Sequence, residues 1–260
     1  MGNQTSVVII ADHKTTPEGS AIQQFERVAA LNHIHAAAAM PDLHPGRGYP
    51  VGAAFFSESH LYPALIGGDI GCGMALWQTD LAARKHSADK LLRRIGDLES
   101  PLGDDWQDAI ADMLGTDDIP FRHALGTIGG GNHFAEIQRV DAVLAPEHLP
   151  PDFDADALYL FIHSGSRGYG GAILRDHIER HGHEPLAADS AEAAAYLAAH
   201  DAACAYAATN RALIAARLAQ QLGGAHNLIS DSIHNQLVAR ADGWLHRKGA
   251  APADSGLVVI

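Results

Sequence analysis

Five side chains in this sequence carry donor atoms suited to a transition metal, and each stands where the backbone is free to aim it. Asp69 and Cys72 lie three apart in GGDIGCG, a spacing that lets one turn direct a carboxylate and a thiolate at one point. Gly67, Gly68, Gly71 and Gly73 around them permit backbone geometry that a Cβ forbids. His133 follows three glycines and an Asn, and His163 comes off the apolar run LYLFI into SGSRG. His226 opens an HN pair just past two glycines. Ligands scattered along a chain at element ends suit a catalytic ion better than a short structural zinc motif. One thiolate, one carboxylate and three imidazoles form a mixed set, compatible with manganese, zinc, cobalt or iron. A lone Cys among harder ligands can bridge two ions, and two ions can clamp the attacking and leaving oxygens of phosphoryl transfer.

Plainer readings compete at each position. A single His is more often a core or surface residue than a ligand, and glycine clusters are often only turns. His200 and Cys204 lie four apart on a helical stretch but are flanked by alanines at core spacing, so burial is the expectation there. His234, in SIHNQL, repeats the HN pair and is set aside, and His33 and His35 flank an alanine run with no supporting pattern. Arg84, Lys85, Lys90, Arg93 and Arg94 read as a solvated helix face.

The elements that must position the five residues follow from periodicity and caps. Residues 6–10 read as a first buried strand. Thr16-Pro17-Glu18 supplies an N-cap, a first-turn Pro and an acidic first turn for a helix to about Leu31. MPDLHPGRGYPVGAAFF, broken by Gly and Pro, reads as a loop entering a strand, and a helix is expected over 81–96. Residues 158–162 form a buried strand ending at His163, and Ser190 with Glu192 opens a long helix closed by Gly223-Gly224. The chain closes on the strand-like WLHRKGA and GLVVI. Strands and helices mix without a βαβ rhythm. The expected class is α+β, one domain over residues 1–260, with layered mixed β-sheets and surrounding helices.

Composition bounds the rest. With 260 residues and 47% hydrophobic content, a sizeable core can form. Two cysteines make no disulfide framework and no CxxC zinc pattern, which points to a reducing compartment. No apolar run approaches a membrane span, and the amino terminus lacks signal-peptide features, so a cytoplasmic enzyme is expected. A formal charge of −13 argues against a general nucleic-acid coat protein, although a few placed cations suffice for phosphate contacts. The 17 histidines are the compositional anomaly.

In this order and at these separations, MPDLHPGRGYPVG, GGDIGCGM, LGTIGGGNHFAEI, HSGSRGYG, AHN and HRKGA resemble the successive motifs of the RtcB family of RNA ligases. Asn210-Arg211 in YAATNR fits as well, and the resemblance spans about Met40 to Ala250. It implies an RtcB-like fold and two manganese ions, one held by Asp69, Cys72 and His133, the other by Cys72, His163 and His226. It places Asp42, Asn132, Phe134, Glu136 and Asn227 around a guanylate derived from GTP. Arg167 offers a forked cation to a nucleotide or RNA phosphate.

The implied reaction joins a 2′,3′-cyclic phosphate or 3′-phosphate RNA end to a 5′-hydroxyl end, in tRNA splicing or RNA repair. No residue here matches the family's guanylate-accepting histidine, which is expected beyond Ile260. Two further readings stand beside it: a metal-dependent cyclic phosphodiesterase that opens ends without joining them, and a non-catalytic RNA-end binder. No membrane partner is expected, and oligomeric state is not encoded legibly.

Overall fold

A computed structural model describes residues 5–10, 16–254 and 256–259. In chain order the elements begin with β1 (Ser6–Ile9), α1 (Gly19–Ala29), β2 (Ile34–His44), β3 (Val51–Ser57), β4 (His60–Leu61) and α2 (Pro63–Ile66). There follow β5 (Gly73–Ala82), α3 (Ala88–Leu92), α4 (Gln107–Leu114), β6 (Phe134–Arg139), β7 (Ala157–Ser164) and α5 (Arg167–His181). The last are β8 (Leu186–Ala187), α6 (Ala191–Leu222), β9 (His226–Ile233), β10 (Asn235–Arg240) and β11 (Gly243–Lys248). Mixed sheets with surrounding helices make this an α+β fold, as expected. The chain forms two compact units, the first comprising residues 1–70, 170–203 and 234–251, the second 71–169, 204–233 and 252–260.

The first unit is built on a five-stranded sheet ordered β1-β2-β3-β11-β10, with β1 and β2 parallel and the other pairs antiparallel. Helix α1 places Phe25 and Val28 on Phe55, Ile34 and Leu43 to form its core. His246 is fully buried there, its Nε2 accepting from the Tyr62 N–H at 2.9 Å while Nδ1 faces the Phe55 carbonyl at 3.2 Å. Burial pushes its pKa down to about 4, so the ring is neutral at pH 7.

The second unit carries a four-stranded antiparallel sheet ordered β6-β7-β5-β9. Residues directly opposite across antiparallel strands share a face. One face, with Ala75, Trp77, Leu158, Leu160, Ile162, Ala135 and Ile137, packs under Ile214, Ala215 and Leu218 of α6. The other face holds Met74 and Phe134, both opposite His163, and Glu136 opposite Phe161. Alternation along β7 therefore separates a core-forming side from a side that presents functional groups.

Several expectations need revision. β1 is a strand at the sheet edge but not a buried one, since Val7, Val8 and Ile9 are 44–53% exposed. The stretch from Met40 to His44 belongs to β2 rather than to a loop; the ladder is irregular between Ala39 and His44, which accommodates Pro41. The helix expected over 81–96 is absent, because β5 runs on to Ala82, opposite Ala157, and only Ala88–Leu92 is α-helical. Residues 256–259 of GLVVI form no strand, and Ile260 lies outside the described residues.

Candidate metal centre

Strand β7 delivers His163 buried at 3% exposure, beside Cys72 at 2%. The Cys72 Sγ lies 3.2 Å from His163 Nε2 and 3.5 Å from His133 Nε2. The His163 Nδ1 meets the Asn132 carbonyl at 3.0 Å. A carbonyl only accepts, so that nitrogen carries the proton and Nε2 presents its lone pair toward the sulfur. A carbonyl behind a ligating imidazole is the usual way such a ring is oriented and made more basic. The three donors thus fit a cation of the borderline class. Cys72 is common to both groupings of metal-type donors among the described residues, with His163 in one and His133 in the other.

Helix α6 positions these groups with three buried polar side chains. Arg211, fully buried, binds Asp231 through two bonds of 2.9 Å from Nε and Nη2. Its Nη1 donates to the carbonyls of Gly71 (2.8 Å) and Ser164 (2.9 Å), the residues next to Cys72 and His163. Asn210 accepts from the Gly126 N–H at 2.7 Å and donates to the Thr127 carbonyl and Ser164 Oγ. Arg217 donates to the carbonyls of Gly126 (2.6 Å), Asp97 (2.8 Å) and Ser100 (3.1 Å). The glycine loop leading to His133 is therefore hung from one helix. Burying three such side chains is tolerable because each finds several partners.

Around this centre, Phe134 stacks edge-on to His163 at a centroid distance of 5.4 Å and to Phe161 at 5.3 Å. Asn132 and Glu136 are exposed, and Glu136 accepts from Gln138 at 3.0 Å. Arg167 opens α5 at a φ of 56° and lays its guanidinium over Gly129, where a Cβ would sit 1.6 Å from Nη1. Its Nε reaches the Thr127 Oγ1 at 3.5 Å. Asp42 stands exposed in the first unit, at the irregular end of β2.

His226 is not brought to Cys72, and Asn227, implied for the guanylate, stands next to His226 on β9. In the β5–β9 ladder His226 pairs with Thr79 and Asn227 with Gln78, whereas Gly73, next to Cys72, pairs with Ile233. Six residues of strand separate the two ends, roughly 20 Å at 3.3 Å per residue. The residue following Ile233 is His234, the HN pair set aside on sequence alone. Within the first unit Asn235 donates to the Asp69 carbonyl at 3.2 Å and accepts from the Gly249 N–H at 2.7 Å. His200, by contrast, accepts from the Leu237 N–H at 3.0 Å and is 1% exposed, the core role expected for it.

Comparisons with known proteins agree on one family. The family model described as tRNA-splicing ligase RtcB matches residues 24–116 and 119–259. The chain is 46% identical to the RNA-splicing ligase RtcB2 of Escherichia coli, over 98% of this chain and 68% of that protein. It is 30% identical to the RNA-splicing ligase RtcB of Escherichia coli K12, over 60% of this chain and 42% of that protein. To RNA-splicing ligase RtcB homolog 1 of Entamoeba dispar it is 26% identical, over 62% and 39% respectively.

Proposed function

Because the chain belongs to the RtcB family, we propose that it is a GTP- and manganese-dependent RNA ligase that joins 2′,3′-cyclic-phosphate or 3′-phosphate ends to 5′-hydroxyl ends. Its RNA would be tRNA halves or damaged RNA, handled in the cytoplasm. The observation that carries the reading is the convergence of the Cys72 sulfur with Nε2 of both His163 and His133. A thiol has one proton to offer two ring nitrogens. A thiolate facing two imidazoles is instead the donor chemistry of a bridged metal pair.

Cys72 is assigned as the shared ligand. Asp69 joins His133 on one side, since it precedes Cys72 by three residues in a glycine loop. His234, the residue after the β5–β9 register ends at Ile233 opposite Gly73, is assigned with His163 on the other. When bound, the ions would polarise phosphoryl oxygens and neutralise charge developing on them. The remaining work falls to the chain's own residues. Asn132 holds the His163 tautomer through its carbonyl, and Arg211 keeps the backbone at Gly71 and Ser164 in register. Arg167 presents a planar fork to a phosphate. Asn132, Phe134 and Glu136 are assigned to guanylate, with Glu136 accepting from guanine N–H donors, and Asp42 is assigned to the same nucleotide.

The test is an RNA bearing a 2′,3′-cyclic phosphate or 3′-phosphate at one end and a 5′-hydroxyl at the other, incubated with the full chain encoded by the gene, GTP and manganese. Joined product is expected, with none from Cys72→Ala. Opening of cyclic-phosphate ends without joining, in the presence of GTP, would establish the phosphodiesterase reading and overturn the ligase.

A further inference from the structure

The first unit contains a cleft of about 630 Å³, within the size range of small-ligand sites. Its charge is unlike that of the chain as a whole. Acidic side chains outnumber Lys and Arg by 31 to 18 overall, yet this cleft is lined by Arg47, Arg175 and Lys248 against the single carboxylate of Asp69. Arg47 and Arg175 are exposed and make no ion pair or side-chain hydrogen bond among the described residues. Lys248 donates to the Ile66 carbonyl at 2.9 Å, and a Cβ on Gly67 would come within 2.7 Å of its Nζ. Glycine at that position is what admits the ammonium group.

The rest of the wall is apolar or aromatic. Leu174 and Ile178 of α5 face Tyr49, whose ring lies 6.1 Å from that of His183. The Tyr49 hydroxyl is tied to His183 Nδ1 at 2.9 Å, and burial raises its pKa. The loop bearing Arg47 is braced by Gln24, which bonds both the N–H and the carbonyl of Gly46 at 3.0 Å. Cations at the rim with an aromatic and aliphatic wall are the two components by which proteins hold single-stranded nucleic acid: phosphates on the cations, bases on the rings.

We propose that this cleft seats one nucleotide of the RNA strand, its phosphates on Arg47, Arg175 and Lys248 and its base against Tyr49, Leu174 and Ile178. The assignment rests on the RNA reading above and extends it to a surface that no single sequence motif covers. Asp69 lies at its border, so engagement of that carboxylate by an ion would leave the cleft purely cationic.

The experiment is fluorescence anisotropy of a labelled ten-nucleotide single-stranded RNA with the purified protein, in EDTA and without GTP, over a series of KCl concentrations. Arg47→Ala/Arg175→Ala should weaken binding tenfold or more. It should also flatten the dependence of log K on log salt by about 1.4, at roughly 0.7 for each phosphate no longer neutralised. Arg175→Glu should weaken binding further, and Tyr49→Ala should weaken it where Tyr49→Phe does not. Unchanged affinity and slope in the double arginine variant, or no RNA binding by the parent protein, overturns the proposal. So does a parallel loss of GMP binding, which would make the cleft a mononucleotide seat. End-joining by the same preparations separates the two readings. A protein that ligates but binds RNA unchanged in the double variant refutes the cleft alone. One that never ligates but loses RNA binding refutes the ligase alone.

Discussion

Replacing Arg211 by Met removes a group that holds the backbone beside both Cys72 and His163. Arg211 is 0% exposed and its partner Asp231 19% exposed, so the pair is shielded from water. Removing one member of such a pair costs about 3–5 kcal/mol, because the remaining charge has no substitute partner. Asp231→Leu should cost less, since the guanidinium keeps the Gly71 and Ser164 carbonyls. In Arg211→Met/Asp231→Leu no charge is stranded; what remains is two carbonyls without a donor, at about 1–3 kcal/mol each. The double variant should therefore be more stable than the sum of the singles implies, with a coupling of about 2 kcal/mol. Urea unfolding of the four proteins at pH 7 measures it. Manganese binding, followed by equilibrium dialysis, should fall in Arg211→Met and partly return in Arg211→Lys. A coupling below about 0.5 kcal/mol, or full manganese binding by Arg211→Met, would refute the clamp.

Three further outcomes are expected. His226→Ala should bind manganese like the parent, whereas His234→Ala should lose binding; the reverse pattern in dialysis would restore His226 as a ligand. Gly129→Ala forces a Cβ into the Arg167 guanidinium at a φ of 90°, so it should lower end-joining while leaving metal content intact; unaltered ligation rates would remove Arg167 from the site. His246 has a folded pKa near 4 against an unfolded value near 6.5, so the unfolded chain takes up the proton first. Its contribution is full above pH 6.5 and shrinks as pH falls toward 4, by up to about 1.4 kcal/mol per unit. The urea midpoint should drop between pH 7 and pH 5, and less steeply in His246→Asn; equal slopes would dismiss this residue.

Where local chemistry decides, the sequence was readable. Ser190 does cap α6, accepting from the Ala193 N–H at 3.1 Å, and Gly223, at a φ of 73°, ends it together with Gly224, both N–H groups donating back to the Ala219 carbonyl. β7 and the glycine loops lie where composition put them. Pairing decides elsewhere, and there the reading failed. The β5–β9 pairing sets His226 opposite Thr79 rather than beside Cys72, and nothing within AHNLI or SIHNQL records that register. Helix α5 begins RGYGG, poor in helix formers. Within the first unit the Gly68 loop passes so close to this helix that a Cβ on Gly68 would meet the Gly171 Cα at 3.2 Å. The helix expected over 81–96 failed because Leu91 is the only buried residue of the short α3, too little to hold a longer amphipathic helix.

Asn210, Arg211 and Arg217 sit on a single helix, and every loop of the metal centre in the second unit is indexed to it. The centre thus has an angular origin. One residue inserted between Arg211 and Leu213 would turn all that follows by about 100° relative to what precedes it. Asn210 and Arg211 could then keep their loops only by giving up the apolar stripe of Leu213, Ile214 and Leu218, or the reverse. Point changes on the exposed face of α6 leave that phase untouched, while insertions and deletions in this stretch do not. Length, more than identity, is the property of this helix segment that the site cannot lose.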